Sequence, residues 1–382
     1  MTGKACVITG SRADYGLMSR MMRQLASAGR LQLLVTGAHL DEANPTEGEI
    51  LSDGFVIDSR VPLPPTGYGD LETARAVGFG VGAIAEVLNN LKPGVAVILG
   101  DRFEALAAAQ AAFFLNIPVA HIHGGEVTVG SLDDSTRHAI SKLARWHFVS
   151  NAQARDRLIR MGEEPGAVFV SGAPGLDDLR SLQPLSLQAL ASDLGWDAPA
   201  PFLLVTYHPV TNLPGETDHG IRALLAVLEE LPFRVVVTGS NADAGGHAVN
   251  QALASFARSH DTRVRIRSSL GRHRYLSAMH HALAVVGNSS SGIVEAPFLG
   301  KPTVNIGTRQ EGRPCASSII NCSSTIESIR DAIGQALDPD FRESARSAGS
   351  LYGNGDSSAR IFEKLIDLID APPPGPKRFH DT

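Results

Sequence analysis

The 382-residue sequence predicts an α/β protein of two Rossmann-like, doubly wound lobes with a ligand cleft between them. Its length is too great for one compact core and suits two domains of roughly 150–200 residues. Short runs rich in Val, Ile and Leu recur, each followed by a Gly-rich or polar turn and then by a helically spaced stretch. Such continuous apolar runs mark parallel strands buried on both faces. The pattern breaks once, at 181–201, where Pro184, Gly195, Trp196, Pro199 and Pro201 surround a single helical stretch, and then it starts again.

In the first half the expected strands are Ala5–Thr9, Leu31–Thr36, Val95–Leu99, Pro118–Ile122, Trp146–Val149 and Val168–Val170. The second half supplies Phe202–Thr206, Arg234–Thr238, Val264–Ile266, Ala284–Val286 and Thr303–Ile306. The boundaries that follow are an N-terminal lobe over 1–180, a linker over 181–201 and a C-terminal lobe over 202–355. A helix over 356–370 returns to the first lobe, and 371–382 (APPPGPKRFHDT) reads as a frayed tail. Val61–Asp70 reads as an irregular surface loop. In doubly wound sheets ligands sit beyond the carboxyl ends of the strands, so function belongs to the loops that follow them.

Composition narrows the partners. Hydrophobic residues at 43% and charged residues at 19% exclude a disordered or coiled-coil chain. A net charge of −6 offers no field for nucleic acid or an anionic membrane, while leaving room for a local pocket that holds one phosphorylated ligand. Cys6, Cys315 and Cys322 form neither C-x-x-C nor a zinc spacing, which suits a reducing compartment. The longest apolar stretch, Ala105–Ala120, is interrupted by Gln110, Asn116 and Pro118, and the N-terminus reads as a strand rather than a leader. A cytoplasmic protein is expected.

The first post-strand loop, Thr9–Gly16, has Gly10 and Gly16 but not the three glycines of a dinucleotide fingerprint, which disfavours a nicotinamide cofactor. A helix N-terminus beside Arg12 still suits a diphosphate; the plainer alternative pairs Arg12 with Asp14 at the cap. Gly100-Asp101-Arg102-Phe103-Glu104 and His123-Gly124-Gly125-Glu126 follow two further strands, and Asp133 and Asp134 open the next helix, where one of them can serve as its cap. Several acids and His123 on adjacent loops of one sheet edge point to general acid/base work. In the second half, His208 follows a strand, and Gly287-Asn288-Ser289-Ser290-Ser291-Gly292 joins a strand to a helix with hydroxyl and backbone donors suited to phosphate. Glu295 sits one turn into that helix, as a ribose acceptor or an ordinary first-turn acid. Arg309 ends another strand as a cation for the diphosphate.

Taken in order, SRADYG, GDRFE, HIHGGE, LDDSTRHAISKLA, SGAPGLD, YHPVT, GNSSSGIVEA and PTVNIGTRQEGRP resemble the hydrolysing UDP-N-acetylglucosamine 2-epimerases of bacterial sialic acid and related nonulosonic acid biosynthesis. These motifs span about residues 5–315. The resemblance implies a glycosyltransferase-B-like fold, a nucleotide-sugar substrate, no cofactor, no metal and a homo-oligomer, dimer or tetramer. It also implies that Asp101, Glu126 and Asp133 form the acidic set and that His208 lies near the diphosphate. Arg12, Ser289, Ser290, Glu295 and Arg309 match nucleotide contacts, and His39 and Arg102 join the substrate-binding set. Two departures stand out. His123 occupies a position where many members carry Glu, and the stretch from Glu126 to Asp133 is one residue longer, which leaves Asp134 as the alternative acid.

The expected reaction is elimination of the diphosphate with loss of the C2 proton to a carboxylate or to His123, followed by hydration of the glycal from the opposite face. UDP-N-acetylglucosamine is the first substrate by family frequency; the alternative is a UDP- or GDP-linked 2,4-diacetamido-2,4,6-trideoxy sugar of the legionaminic acid route. A non-hydrolysing epimerase, a retaining glycosyltransferase and a sugar-nucleotide sensor are the competing readings. The grouped acids favour an enzyme over a sensor.

Overall fold

A computed structural model describes residues 3–42, 45–65, 70–128, 132–210, 214–240, 245–371 and 375–381. The chain divides into two compact units, one of 1–127, 132–177 and 355–382, the other of 128–131 and 178–354. The first unit holds β1 (Ala5–Thr9), β2 (Leu31–Thr36), β3 (Ser59–Val61), β4 (Val95–Leu99), β5 (Val119–Ile122), β6 (Trp146–Val149) and β7 (Val168–Val170). The second holds β8 (Phe202–Thr206), β9 (Arg234–Thr238), β10 (Val264–Arg267), β11 (Val285–Gly287), β12 (Thr303–Ile306) and β13 (Ile319–Cys322).

Every described pairing is parallel. The first sheet runs β3-β2-β1-β4-β5-β6-β7 and the second β10-β9-β8-β11-β12-β13. Strand order reverses between β1 and β4, and again between β8 and β11. At such a reversal the loops leaving the two central strands diverge, and a crevice opens at their carboxyl ends. This topology decides which loops can meet a ligand.

Alternation along β1 shows how the first sheet is sandwiched. Ala5 and Val7 face Met18, Met21, Met22 and Leu25 of the helix Arg12–Ser27 and Ile361 and Leu365 of the helix Ser357–Asp370. Cys6 and Ile8 face the opposite layer, where Ala107, Ala108 and Ala111 of the helix Phe103–Phe114 pack with Ile84 and Leu88 of the helix Asp70–Leu91. Alanine at those positions lets the helices approach closely. The helix Ser357–Asp370 is fixed at both ends: the Asp177 carboxylate accepts the Ser357 and Ser358 N–H groups at 2.8 and 2.7 Å, and Arg30 pairs with Asp370 at 2.6 Å. In the second unit, Leu203 and Val205 pack with Leu224 and Val227 on one face, while Phe202 and Leu204 meet Leu190, Leu194 and Trp196 on the other.

Several boundaries differ from the sequence reading for local reasons. The first helix begins at Arg12, where Ser11 and Asp14 form a capping box. β11 covers Val285–Gly287 rather than Ala284–Val286, and β10 extends to Arg267. The edge strands β3 and β13 were not anticipated; β3 overlaps the start of the supposed Val61–Asp70 loop, whose residues 66–69 lie outside the described residues. The stretch read as a linker, 181–201, contributes Leu190, Ala191, Leu194 and Trp196 to the core of the second unit. The supposed frayed tail makes specific contacts: the Lys377 ammonium donates to the carbonyls of Lys142 and Ala144, each at 2.7 Å.

Gly287 ends β11 at φ +138°, and a Cβ there would lie 1.9 Å from the Thr206 carbonyl oxygen. Backbone cannot yield as a flexible side chain does. Gly287→Ala is therefore expected to lower unfolding free energy by about 2 kcal/mol or more, to be read from the urea midpoint at unchanged m-value.

Candidate active site

The first unit gathers acids around a buried cation. Arg137, on the helix Leu132–Leu143, is 4% exposed. Its guanidinium hydrogen-bonds the Asp101 carboxylate in the loop after β4, donates to the Glu126 carbonyl in the loop after β5 at 3.1 Å, and lies 3.7 Å from Asp134. One side chain thus fixes both acid-bearing loops and the first turn of its own helix. His121, on β5, supports the same region. Its ring meets the Gly100 carbonyl at 2.7 Å and the Ser141 hydroxyl at 3.1 Å, and complete burial pushes its pKa down to about 3. The imidazole is neutral, with Nε2–H donating to Gly100.

His123 has φ +65°, an uncommon conformation for a residue with a side chain. It turns Nδ1 to within 3.2 Å of Glu126, while Nε2 is buried with no hydrogen-bond partner among the described residues. Arg157, from the helix Ala152–Arg160, donates to the Gly125 carbonyl within the same turn. Strain of this kind is retained where the surroundings over-determine the backbone, commonly at functional sites. Asp133 is exposed on the first turn of its helix, and its charge acts on Arg102; Asp134 faces Arg137 and also His138, at 3.6 Å. The two neighbouring acids are thereby separated in environment.

The loop after β1 is built on Asp14, whose carboxylate accepts the Gly10 and Ser11 N–H groups at 2.8 and 3.1 Å. Arg12 pairs with Glu49 at 2.8 Å instead of with Asp14, and the guanidinium is largely exposed. His39 is buried. Its ring nitrogens engage the hydroxyls of Thr9 at 3.0 Å and Thr46 at 2.8 Å, and burial lowers its pKa. Arg102 forms an ion pair with buried Glu104, whose carboxyl is pushed above its ordinary range by burial, against the opposing pull of Arg102.

The second unit builds its loops around an amide. Asn288, fully buried after β11, accepts the His208 N–H at 2.7 Å and donates to the His208 carbonyl at 2.8 Å, tying together the loops that leave β8 and β11 at the strand-order reversal. Its own carbonyl accepts from Arg309 at 3.2 Å and from Gln310 at 2.9 Å. His208, Ser289 and Arg309 therefore belong to one framework. Ser289 caps the helix Ser290–Phe298 and receives the Ser291 hydroxyl at 3.1 Å; Ser290 is exposed at the first helical position. Glu216 holds the β12 loop through the Thr308 N–H at 2.9 Å and hydroxyl at 2.8 Å. Glu295 is raised by burial, with Arg272 at 3.4 Å opposing, and Arg272 in turn meets Asp178 at 2.8 Å.

Three organising side chains escaped the sequence reading. Arg137, His121 and Asn288 lie inside the quoted motifs, yet their roles are contacts across 11 to 80 residues of chain that no local spacing reveals. Among the described residues no group of three or more His, Cys, Asp or Glu side chains is arranged to hold a metal ion, and no helix is long and apolar enough to cross a membrane.

A family model described as UDP-N-acetylglucosamine 2-epimerase matches residues 23–366. The chain is 34% identical over 369 residues to UDP-N,N'-diacetylbacillosamine 2-epimerase (hydrolyzing) of Legionella pneumophila, with 96% of each covered. It is 33% identical over 344 residues to GDP/UDP-N,N'-diacetylbacillosamine 2-epimerase (hydrolyzing) of Campylobacter jejuni, with 89% of each covered. The fold is shared with UDP-GlcNAc 2-epimerase from Neisseria meningitidis bound to UDP-GlcNAc, at a TM-score of 0.79 and 20% identity over 95% of this chain and 100% of that one.

The buried imidazoles make stability depend on pH. His121 falls from an ordinary 6.5 to about 3 on folding, and His39 and His147 shift in the same direction, all chiefly through burial. At these histidines the unfolded state binds more protons below about pH 6.5, so the stability they contribute above that value is lost as pH falls, toward about 3 in the case of His121. Unfolding free energy should drop between pH 6.5 and 5, with each such histidine contributing up to about 1.4 kcal/mol per pH unit. Urea titrations at a series of pH values test this, and His121→Asn should flatten the slope by one histidine's share.

Proposed function

Since the chain belongs to the UDP-N-acetylglucosamine 2-epimerase family, we propose that it is a hydrolysing 2-epimerase, converting a nucleotide-linked 2-acetamido sugar into the free C2-epimer and a nucleoside diphosphate. The observation that carries the reading is the Arg137-centred set, which holds Asp101 and the Glu126 loop at the carboxyl edge of a parallel sheet. We take the sugar to be a 2,4-diacetamido-2,4,6-trideoxy hexose on UDP, because the Legionella pneumophila and Campylobacter jejuni relatives are named for diacetylbacillosamine. UDP-N-acetylglucosamine is the second reading, favoured by the description of the family model. In either case the free product suits nonulosonic acid biosynthesis.

The chemistry assigns the two residue sets to different parts of the substrate. Hydrogen at C2 becomes acidic only as the bond from C1 to the diphosphate oxygen lengthens and positive charge develops at C1. In this proposal Arg12, Arg309, His208 and the donors at Ser289 and Ser290 carry the diphosphate, Glu295 takes a ribose hydroxyl, and His39 and Arg102 line the substrate region. A base among Asp101, Glu126 and His123 takes the C2 proton as the electron pair of the C–H bond forms the C1–C2 double bond and the diphosphate departs with the C1–O electrons. Water then adds its oxygen to C1, surrendering a proton, while an acid on the other face, Asp133 in this assignment, delivers a proton to C2. One water is consumed, configuration at C2 is inverted, and the sugar leaves unattached.

A donor panel of UDP- and GDP-linked 2-acetamido and 2,4-diacetamido sugars, followed by proton NMR in deuterated water, should show nucleoside diphosphate and a free epimer deuterated at C2. Epimerisation confined to nucleotide-bound sugar would sink the hydrolysing reading. Asp101→Asn, Glu126→Gln and Asp133→Asn should each cut kcat by about 100-fold or more, whereas Arg309→Ala should mainly weaken nucleotide affinity.

Position 123 bears on substrate choice, because imidazole and carboxylate differ in charge and reach beside the reacting sugar. His123→Glu is expected to shift the ratio of kcat/KM between diacetamido and monoacetamido donors. An unchanged ratio across the panel would remove this position from specificity.

A further inference from the structure

The described C-terminal residues 375–381 lie across the C-terminal ends of two helices that matter to the candidate acids. Lys377 inserts its ammonium where the helix Leu132–Leu143 ends, donating to the carbonyls of Lys142 and Ala144 and meeting the Glu163 carboxylate, each at 2.7 Å. Glu163 is 1% exposed and also takes Lys142 at 2.6 Å and the fully buried His147 at 2.9 Å. Burial alone would raise its pKa, but these three donors bring it down to about 2. Two residues on, the Phe379 ring lies over Gly162, where a Cβ would come within 2.2 Å of it, and the His380 N–H donates to the Gly162 carbonyl at 3.0 Å. Gly162, at φ +86°, directly follows the helix Ala152–Arg160 and its C-cap Met161. A side chain there would evict the ring.

Both helices grip the loops that carry the acids. The first does so through Arg137, to Asp101 and the Glu126 carbonyl; the second does so through Arg157, to the Gly125 carbonyl. Lys377 also reaches the carbonyl of Ser141, at 3.5 Å, whose hydroxyl meets the His121 ring, and the mechanism has no use for Glu163, His147, Lys377 or Phe379. We propose that residues 377–380 form a strap, and that Lys377 and Glu163 are positioning residues. The strap fixes the spacing of the two helices and, through Arg137 and Arg157, the placement of the acids. Helix C-termini present unpaired carbonyls and partial negative charge, so an ammonium shared by one such end and a buried carboxylate holds in a way that an exposed ion pair does not.

The kinetic part of this inference rests on the epimerase reading, so the test carries a readout that does not. In the full chain, Lys377→Ala and Phe379→Ala should raise amide hydrogen exchange in the peptides covering 101–104 and 123–128 by about tenfold, below the threshold of global unfolding. For a donor that the parent protein turns over, kcat should fall about tenfold with KM within about twofold, as small misplacement of catalytic groups predicts. Lys377→Arg should restore both readouts. Unchanged exchange in those peptides in both variants, or a fall in kcat that merely tracks the unfolded fraction by circular dichroism, overturns the strap. If the parent releases no nucleotide from any donor, the epimerase reading fails while the exchange measurement still decides the strap.

Discussion

A guanidinium in a protein interior keeps its proton, so burying Arg137 obliges the surrounding chain to supply acceptors. The acceptors it finds are the Asp101 carboxylate, the Glu126 carbonyl and the nearby Asp134. That demand determines much of the first unit's functional edge. It draws the loops after β4 and β5 onto one helix, and it requires that helix to start where Asp133 and Asp134 fall in the first turn. His121 adds a second tie through the Gly100 carbonyl, and Arg157 pins Gly125, so each acid-bearing loop is held by donors from two elements. Such double tethering fixes where the acids sit, and proton transfer in general is steeply sensitive to distance and direction.

The second unit meets the corresponding need without a buried charge. Asn288 pairs its amide with both main-chain groups of His208 and offers its own carbonyl to Arg309 and Gln310, which fixes a cation and an imidazole around a neutral hub. A neutral hub adds no carboxylate that would repel an anion. Acids of this unit have partners of their own, Glu216 in Thr308 and Glu295 in Arg272.

Central strands were legible in the sequence because burial on both faces leaves an unbroken apolar run, as in VVV within Arg234–Thr238. The edge strands Ser59–Val61 and Ile319–Cys322 were not, since three or four residues with polar neighbours carry no period long enough to read. Loops bearing Asp101, His123, Glu126, His208 and Ser289 could be placed from their positions after strands. Their organisers could not, because Arg137 among LDDSTRHAISKLA and Asn288 within GNSSSG look like ordinary polar residues until the fold brings distant main chain to them. The C-terminal tail misled for a related reason: Pro-rich composition suggests fraying, whereas Lys377 depends on Glu163, 214 residues earlier in sequence.

A chain that must bring carboxylates to one part of a substrate and cations to another faces a pairing problem, because free acids and free arginines on neighbouring loops would neutralise one another before any ligand arrived. Here these side chains each have a partner within their own unit. Asp101 is held by Arg137, Arg102 by Glu104 and Arg309 by a main-chain carbonyl, so neither set depends on the other for its geometry. Arg309 donates to a neutral main-chain oxygen, while Asp101 accepts from the buried Arg137 guanidinium, so the two side chains are oriented by different kinds of partner. Preorganisation of this kind is what an elimination requires, since neither C–H nor C–O cleavage proceeds far without the other.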